Sequence, residues 1–238
     1  YNVLMNLKGG IESIDDIIAR GKRPLNVKEF QTVWESMEAL VLDTRAKEAF
    51  VEEHIPGSIF IGIDDNFAPW SGTLIMDLKQ PILFLADEGR EEEVVVRLSR
   101  VGYDNAVGFL QGGIKAWKEA GLETDSIKEI SANDFASLYQ MDTEHINLLD
   151  ARRKSEFDSE HLMGAENFPL DFINQNMSQL SRDKKYFIHC AGGYRSVIMC
   201  SILKARGFDK LVNIQGGYKS LSQTGLKKTH YVEPTTML

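Results

Sequence analysis

Cysteine is almost missing from this chain of 238 residues: only Cys190 and Cys200 occur, ten positions apart. A disulfide framework is therefore excluded, and a reducing compartment, the cytoplasm, is the expected setting. No apolar run approaches the ~18–20 residues that cross a bilayer as a helix, so no membrane partner is expected. Positive charge is outnumbered, with 27 Lys and Arg against 35 Asp and Glu and a net charge of −8. That balance opposes non-specific binding to a phosphate backbone and argues against nucleic acid as a partner. The five histidines, at 54, 145, 161, 189 and 230, form no ligand-spaced cluster, so neither a metal nor another cofactor is expected. The chain also lacks an initiator Met and a secretory leader, opening Tyr1-Asn2-Val3-Leu4-Met5, and reads as a piece of a longer protein.

What is present has the composition of a globular protein, at 43% hydrophobic and 26% charged residues, and it repeats itself. Leu42-Asp43-Thr44-Arg45, with Phe50, His54 and Gly57, returns 107 residues later as Leu149-Asp150-Ala151-Arg152, with Phe157, His161 and Gly164. Leu25-Asn26 and Glu29-Phe30 return 105 residues later as Ile130-Ser131 and Asp134-Phe135, and Gln111-Gly112-Gly113 returns 104 later as Gln215-Gly216-Gly217. Two copies of one domain follow, over residues 24–121 and 129–227, with an N-terminal linker segment 1–23 and a tail 228–238.

Asn26 and Ser131 each carry an acidic residue three places on and read as helix N-caps; after Asn26, apolar positions at Val27, Phe30, Val33, Trp34 and Met37 have helical spacing. Continuous apolar runs at 39–42, 82–85 and 106–110, and again at 146–149, 186–188 and 211–214, read as buried parallel strands separated by helical stretches such as 91–100 and 196–206. This alternation predicts an α/β fold: in each copy an open parallel sheet flanked by helices, with ligands at the carboxyl ends of its strands. Trp70 reads as a packed aromatic rather than a partner anchor.

The chemistry concentrates in His189-Cys190-Ala191-Gly192-Gly193-Tyr194-Arg195-Ser196, between the strand at 186–188 and a helix expected to begin near Ser196. A thiol over a helix N-terminus faces unpaired N–H groups and the positive end of the dipole, which favour the nucleophilic thiolate. Gly192 and Gly193 let successive N–H groups turn inward as an anion nest able to hold a persulfide. Arg195 either meets an incoming anion or braces the loop against Asp150. Cys200, mid-helix among Val197, Ile198, Met199, Ile202 and Leu203, reads as an inert core thiol.

The second copy resembles the rhodanese domain, a sulfurtransferase module, through its full length. The match is carried by Asp150-Ala151-Arg152, Glu156-Phe157, His161-Leu162-Met163-Gly164-Ala165, the Cys190–Ser196 loop, Gly207-Phe208 and Gly216-Gly217. The resemblance implies that Cys190 is the catalytic residue, accepting a sulfane sulfur from thiosulfate or a low-molecular-weight persulfide and passing it to a thiol or cyanide. It also implies that Ala191, Gly192, Gly193, Tyr194, Arg195 and Ser196 bind the persulfide while Asp150 and Arg152 support the loop, and that His161 and His189 are structural. Met163 departs from the family, which usually has Pro ahead of the Gly, as the first copy does in His54-Ile55-Pro56-Gly57.

The first copy resembles the same fold without the chemistry. Its loop, Leu85-Ala86-Asp87-Glu88-Gly89-Arg90-Glu91-Glu92, has no cysteine and repels anions, so an inactive structural or docking domain is expected. Two alternatives to sulfur transfer are a cysteine-dependent phosphatase of the same fold, which has one residue more than the four between Cys190 and Arg195, and a non-catalytic interaction module. Leu4-Met5-Asn6-Leu7-Lys8-Gly9-Gly10 and residues 43–62 resemble fusions in which a metallo-β-lactamase-fold persulfide dioxygenase precedes an inactive and an active rhodanese domain. An upstream domain of that kind is the expected partner.

Overall fold

The computed structural model describes residues 12–233 and contains two parallel five-stranded sheets flanked by helices. The strands of the first are β1 (Pro24–Leu25), β2 (Leu40–Asp43), β3 (Ile59–Phe60), β4 (Ile82–Leu85) and β5 (Ala106–Leu110), in the order β1-β5-β4-β2-β3. The second repeats that order with β6 (Glu129–Ile130), β7 (Asn147–Asp150), β8 (Glu166–Asn167), β9 (Tyr186–His189) and β10 (Leu211–Ile214), as β6-β10-β9-β7-β8. The three inner strands of each sheet coincide with the apolar runs. The two-residue edge strands are too short to leave a hydrophobic pattern and exist because a neighbouring strand offers its open edge.

The main helices are α1 (Ile14–Gly21), α2 (Val27–Met37), α3 (Lys47–Glu52), α4 (Phe67–Leu74), α5 (Glu91–Ser99) and α6 (Gly113–Glu119), then α7 (Ala132–Met141), α8 (Lys154–Ser159), α9 (Ile173–Asn176), α10 (Tyr194–Ala205) and α11 (Gly217–Leu221). Asn26 caps α2 in a reciprocal box: its side chain accepts from the Glu29 N–H at 3.1 Å, and the Glu29 carboxylate accepts from the Asn26 N–H at 3.0 Å. Ser131 accepts from the Asp134 N–H at 3.1 Å to start α7.

By internal packing, one compact unit runs up to Arg45 and resumes over Ile61–Leu122, while the other takes Ala46–Phe60 together with the chain from Glu123 on. In the first unit, β4 is wholly buried and Trp70 lies in the core at 7% exposure. Ile82 of β4 pairs with Ala106, but the next residue, Leu83, pairs with Gly108. Val107 is thus the extra residue of a bulge, and it accounts for the repeat offset falling from 105 to 104 along this strand. Within the expected linker 1–23, residues 14–21 form α1, and a Cβ on Gly21 would lie 2.6 Å from a Val95 methyl, so this helix sits directly on α5. The stretch Leu4–Gly10 lies outside the described residues.

In the second unit, Phe135, Leu148, Leu162, Phe187, Ile214 and Leu221 share one core. The start of the expected tail continues the domain: Leu162 bridges Lys228, and the N–H groups of Thr229 and Val232 donate to the carbonyls of His161 and Ser159 at 2.9 and 2.8 Å.

Candidate active site

Asp150 pairs with His189 at the carboxyl ends of β7 and β9, and Cys190 follows directly in the crossover to α10. That helix begins at Tyr194, two residues before the expected start, with Gly193 as its N-cap. Tyr194, Arg195 and Ser196 therefore belong to its first turn, and the loop proper is only Cys190–Gly193. Of the glycine pair, Gly193 alone has positive φ, +101°; Gly192 has not, and a Cβ there would meet nothing within 4 Å. The special conformation thus rests on Gly193, because the chain must reverse into a helix immediately after it.

Cys190 is 1% exposed. Its Sγ accepts the Gly193 N–H at 3.1 Å and the Ser196 hydroxyl at 3.6 Å, and the same hydroxyl lies 3.2 Å from the Gly193 carbonyl. On the other side, the N–H groups of Tyr218 and Lys219 hold the carbonyls of Cys190 and Ala191 at 2.6 and 3.0 Å. Those carbonyls are pinned toward α11, and the loop N–H that meets the sulfur is that of Gly193. Gly217 permits the approach: with φ +56°, any Cβ there would lie 2.4 Å from the Cys190 oxygen.

Arg195 does not brace against Asp150. It makes a bidentate pair with Glu156 on α8, at 2.6 and 2.8 Å. Asp150 is already satisfied by Arg152, which grips both carboxylate oxygens through Nε and Nη2, at 2.6 Å for the shortest contact, while its own N–H adds a bond of 3.0 Å. The same two-residue turn joins Asp43 and Arg45. Arg152 also donates to the Glu160 carbonyl at 2.9 Å and stacks 3.9 Å over the Tyr218 ring, whose hydroxyl donates to Glu160 at 2.7 Å. Asp150 and Arg152 are thus linked by contact to Tyr218, whose N–H holds the Cys190 carbonyl. The expected support residues fall in one network; Glu156 as the partner of Arg195, and Tyr218 and Lys219 as the clamp, were invisible until strands β7, β9 and β10 lay side by side. A second glycine pair at a strand-to-helix junction, Gly216-Gly217, was the signal that could have found the clamp.

Burial pushes the Glu156 carboxyl upward, but the Arg195 guanidinium outweighs it and holds the group below its ordinary range. Arg195 is shifted upward by that hydrogen bond and stays a cation. His189 is fully buried, which drives its pKa down; its Nε2 lies 3.8 Å from Asp150 without a hydrogen bond. It is a neutral structural ring, stacked against Tyr218. His161 is likewise structural, with Nδ1 2.7 Å from the Phe157 carbonyl and its ring on Phe157. Cys200 is buried in α10, and its thiol is pushed up to about 12.

In the first repeat, Asp43 pairs with Leu85 where Asp150 pairs with His189. Ala86 therefore stands where Cys190 stands. Among the described residues, no group of three or more His, Cys, Asp or Glu side chains could hold a metal ion.

A strand order of this kind with a short Cys loop between the central strand and the following helix defines a family of α/β domains. The chain belongs to the rhodanese-like domain family, which it matches twice, over residues 26–120 and 131–224. It is similar to a sulfurtransferase of Allochromatium vinosum, 31% identical over 85 residues, covering 36% of this chain and 79% of that protein. A putative sulfur carrier protein of Bacillus subtilis is 29% identical over 105 residues, 44% of this chain and 56% of that protein. Among solved structures, a rhodanese-like domain protein of Staphylococcus aureus is 29% identical with a TM-score of 0.39, covering 42% of this chain and 97% of its own. A thiosulfate sulfurtransferase of Pseudomonas aeruginosa is 18% identical with a TM-score of 0.39, covering 89% of this chain and 44% of its own.

Proposed function

We propose that the second repeat is a sulfurtransferase domain carrying sulfane sulfur as a persulfide on Cys190, and that the first repeat carries none and serves as a structural or docking domain. The observation that carries this reading is the donation of the Gly193 N–H to Cys190 Sγ at 3.1 Å from the N-cap of α10. Donors and a helix N-terminus fixed at a sulfur stabilise negative charge there without reorganising.

The Cys190 thiolate attacks the outer sulfur of thiosulfate or of a low-molecular-weight persulfide; the new S–S bond forms as the donor's S–S or S–sulfonate bond breaks, and sulfite or a thiolate leaves with the electron pair. In the return step an acceptor thiolate or cyanide attacks the outer sulfur, and Cys190 leaves as thiolate. No redox partner is needed. The sulfurtransferase name of the Allochromatium relative supports this reading. The phosphatase alternative is weaker, because only four residues separate Cys190 from Arg195 and the guanidinium is already occupied by Glu156.

Incubation with thiosulfate or glutathione persulfide is expected to add the mass of one sulfur atom, removable by cyanide or a thiol, in the wild type and not in Cys190→Ala. Persistent loading of Cys190→Ala overturns the assignment. Within this reading the working compartment is the cytoplasm, and a metallo-β-lactamase-fold domain upstream of Tyr1 would consume the low-molecular-weight persulfide with which Cys190 exchanges sulfur; the coding sequence upstream decides that point.

A further inference from the structure

The second compact unit is not built from the second repeat alone. It takes Ala46–Phe60 from the first repeat, whereas the other unit takes nothing from the second. The counterpart of that segment, with α8, stays in the second unit as well, so α10, whose N-cap N–H meets Cys190 Sγ, is held by both copies of one stretch of chain. Glu156 of α8 holds Arg195, and the Phe60 ring meets the adjacent Tyr194 edge-on, with ring centroids 5.5 Å apart.

Phe60 touches α10 a second time. Its backbone N–H donates to the Ser201 hydroxyl at 3.0 Å, and that hydroxyl donates onward to the Ile198 carbonyl at 2.7 Å. Phe60 and Ser201 are both fully buried. Tyr194 and Ser201 lie two turns apart on one face of the helix, so these two contacts together fix its rotation and its position along its axis. Phe60 is itself braced: its ring packs on Phe50 at 5.1 Å, and Phe50 stacks on His54 at 4.0 Å. The N–H and carbonyl of His54 pair with those of Asp125 at 2.8 and 2.9 Å, and the Asp125 carboxylate meets Lys204, in the last turn of α10, at 3.0 Å.

We propose that residues 46–60 of the cysteine-free repeat are a working part of the sulfur site, with Phe60 as a positioning residue. It sets α10 so that the Gly193 N–H and the Ser196 hydroxyl fall at Cys190 Sγ, at 3.1 and 3.6 Å, and it acts there only through Tyr194 and Ser201. Hydrogen bonds to sulfur weaken with small displacements, so a shift of the helix is felt at the thiolate. The inference rests on the sulfur-carrier reading of Cys190 and deepens it, because it gives the repeat without a cysteine a part in the transfer.

The test measures the rate at which thiosulfate loads Cys190 in the full chain, by intact mass, beside thermal melts and the amide NMR signal of Gly193. Phe60→Ala is expected to slow loading about tenfold, the effect of a displaced rather than a deleted donor, and to move the Gly193 signal. Phe60→Leu, which keeps an apolar body against Tyr194, should load near the wild-type rate. Phe135→Leu, in a core cluster that includes no residue of α10, lowers the melting temperature without touching this helix and should leave loading and the Gly193 signal unchanged. Wild-type loading by folded Phe60→Ala overturns the proposal, as does slowing no greater than that of Phe135→Leu at equal stability. If Phe60→Ala does not fold, Ser201→Ala decides, because it removes only the hydroxyl that receives the Phe60 N–H: wild-type loading with an unmoved Gly193 signal overturns the positioning role. The two readings fail separately. If neither thiosulfate nor glutathione persulfide loads the wild type, the sulfur-carrier reading falls; an unmoved Gly193 signal in Phe60→Ala and Ser201→Ala overturns the positioning by itself.

Discussion

The backbone N–H of Tyr218 donates to the carbonyl of Cys190 at 2.6 Å, so the turn from β10 into α11 grips the loop that holds Cys190. The contact requires Gly217, where any side chain would overlap the Cys190 carbonyl. Gly217→Ala should therefore displace the loop as well as strain a backbone at positive φ, lowering stability by about 1–3 kcal/mol. Sulfur loading should fall more than the melting temperature indicates. Thermal melts beside mass-detected loading check this; wild-type loading at normal stability would contradict it.

Asp150→Ala and Arg195→Ala should part company. The Asp150–Arg152 pair is buried, with side chains 0% and 6% exposed, so losing the carboxylate strands a buried cation at a cost of about 3–5 kcal/mol. The Arg195–Glu156 pair is 17% and 35% exposed, and breaking it should cost about 1 kcal/mol or less. Denaturant melts measure both; sulfur-transfer rates should fall in each, and Arg195→Ala should lose activity out of proportion to its stability.

Glu156 gives a pH signature. Its carboxyl is held below its ordinary value of 4.5 in the folded protein, so its stabilising contribution is complete above that value and is lost as the pH falls through the lower folded one. The stability gap between wild type and Glu156→Gln should be constant near neutrality and close below about pH 4.5, as urea midpoints across pH would show.

Cys200 should stay silent. With its thiol pushed up to about 12 by burial, Cys190→Ala should resist alkylation at pH 8 to 9 while folded and react once denatured. Rapid labelling of the native variant would refute the burial argument.

Placing a cysteine at Ala86 should not create a second sulfur carrier. That position matches Cys190 in strand register, but Asp87 and Glu88 follow it and Gly89 has no neighbouring glycine. Ala86→Cys on a Cys190→Ala background is expected to load no sulfur from thiosulfate, measured by intact mass.

The sequence by itself determined the repeat, the inner strands, the N-caps of α2 and α7, and Cys190 as the one cysteine at a strand-to-helix junction. These are local properties: hydrophobic period, cap chemistry and spacing are written in consecutive residues. Partner choice is not. Asp150 and Arg195 are both legible as charged residues near the loop, yet which carboxylate meets which guanidinium depended on Arg152 saturating Asp150 first, a contest settled only when β7, β9 and α8 were assembled. The clamp of Tyr218 on Cys190 joins residues 28 positions apart, and the bond from Phe60 to Ser201 joins residues 141 apart. Tertiary structure decided these because hydrogen bonds and ion pairs act over a few ångströms, and only folding brings distant segments of the chain to that range.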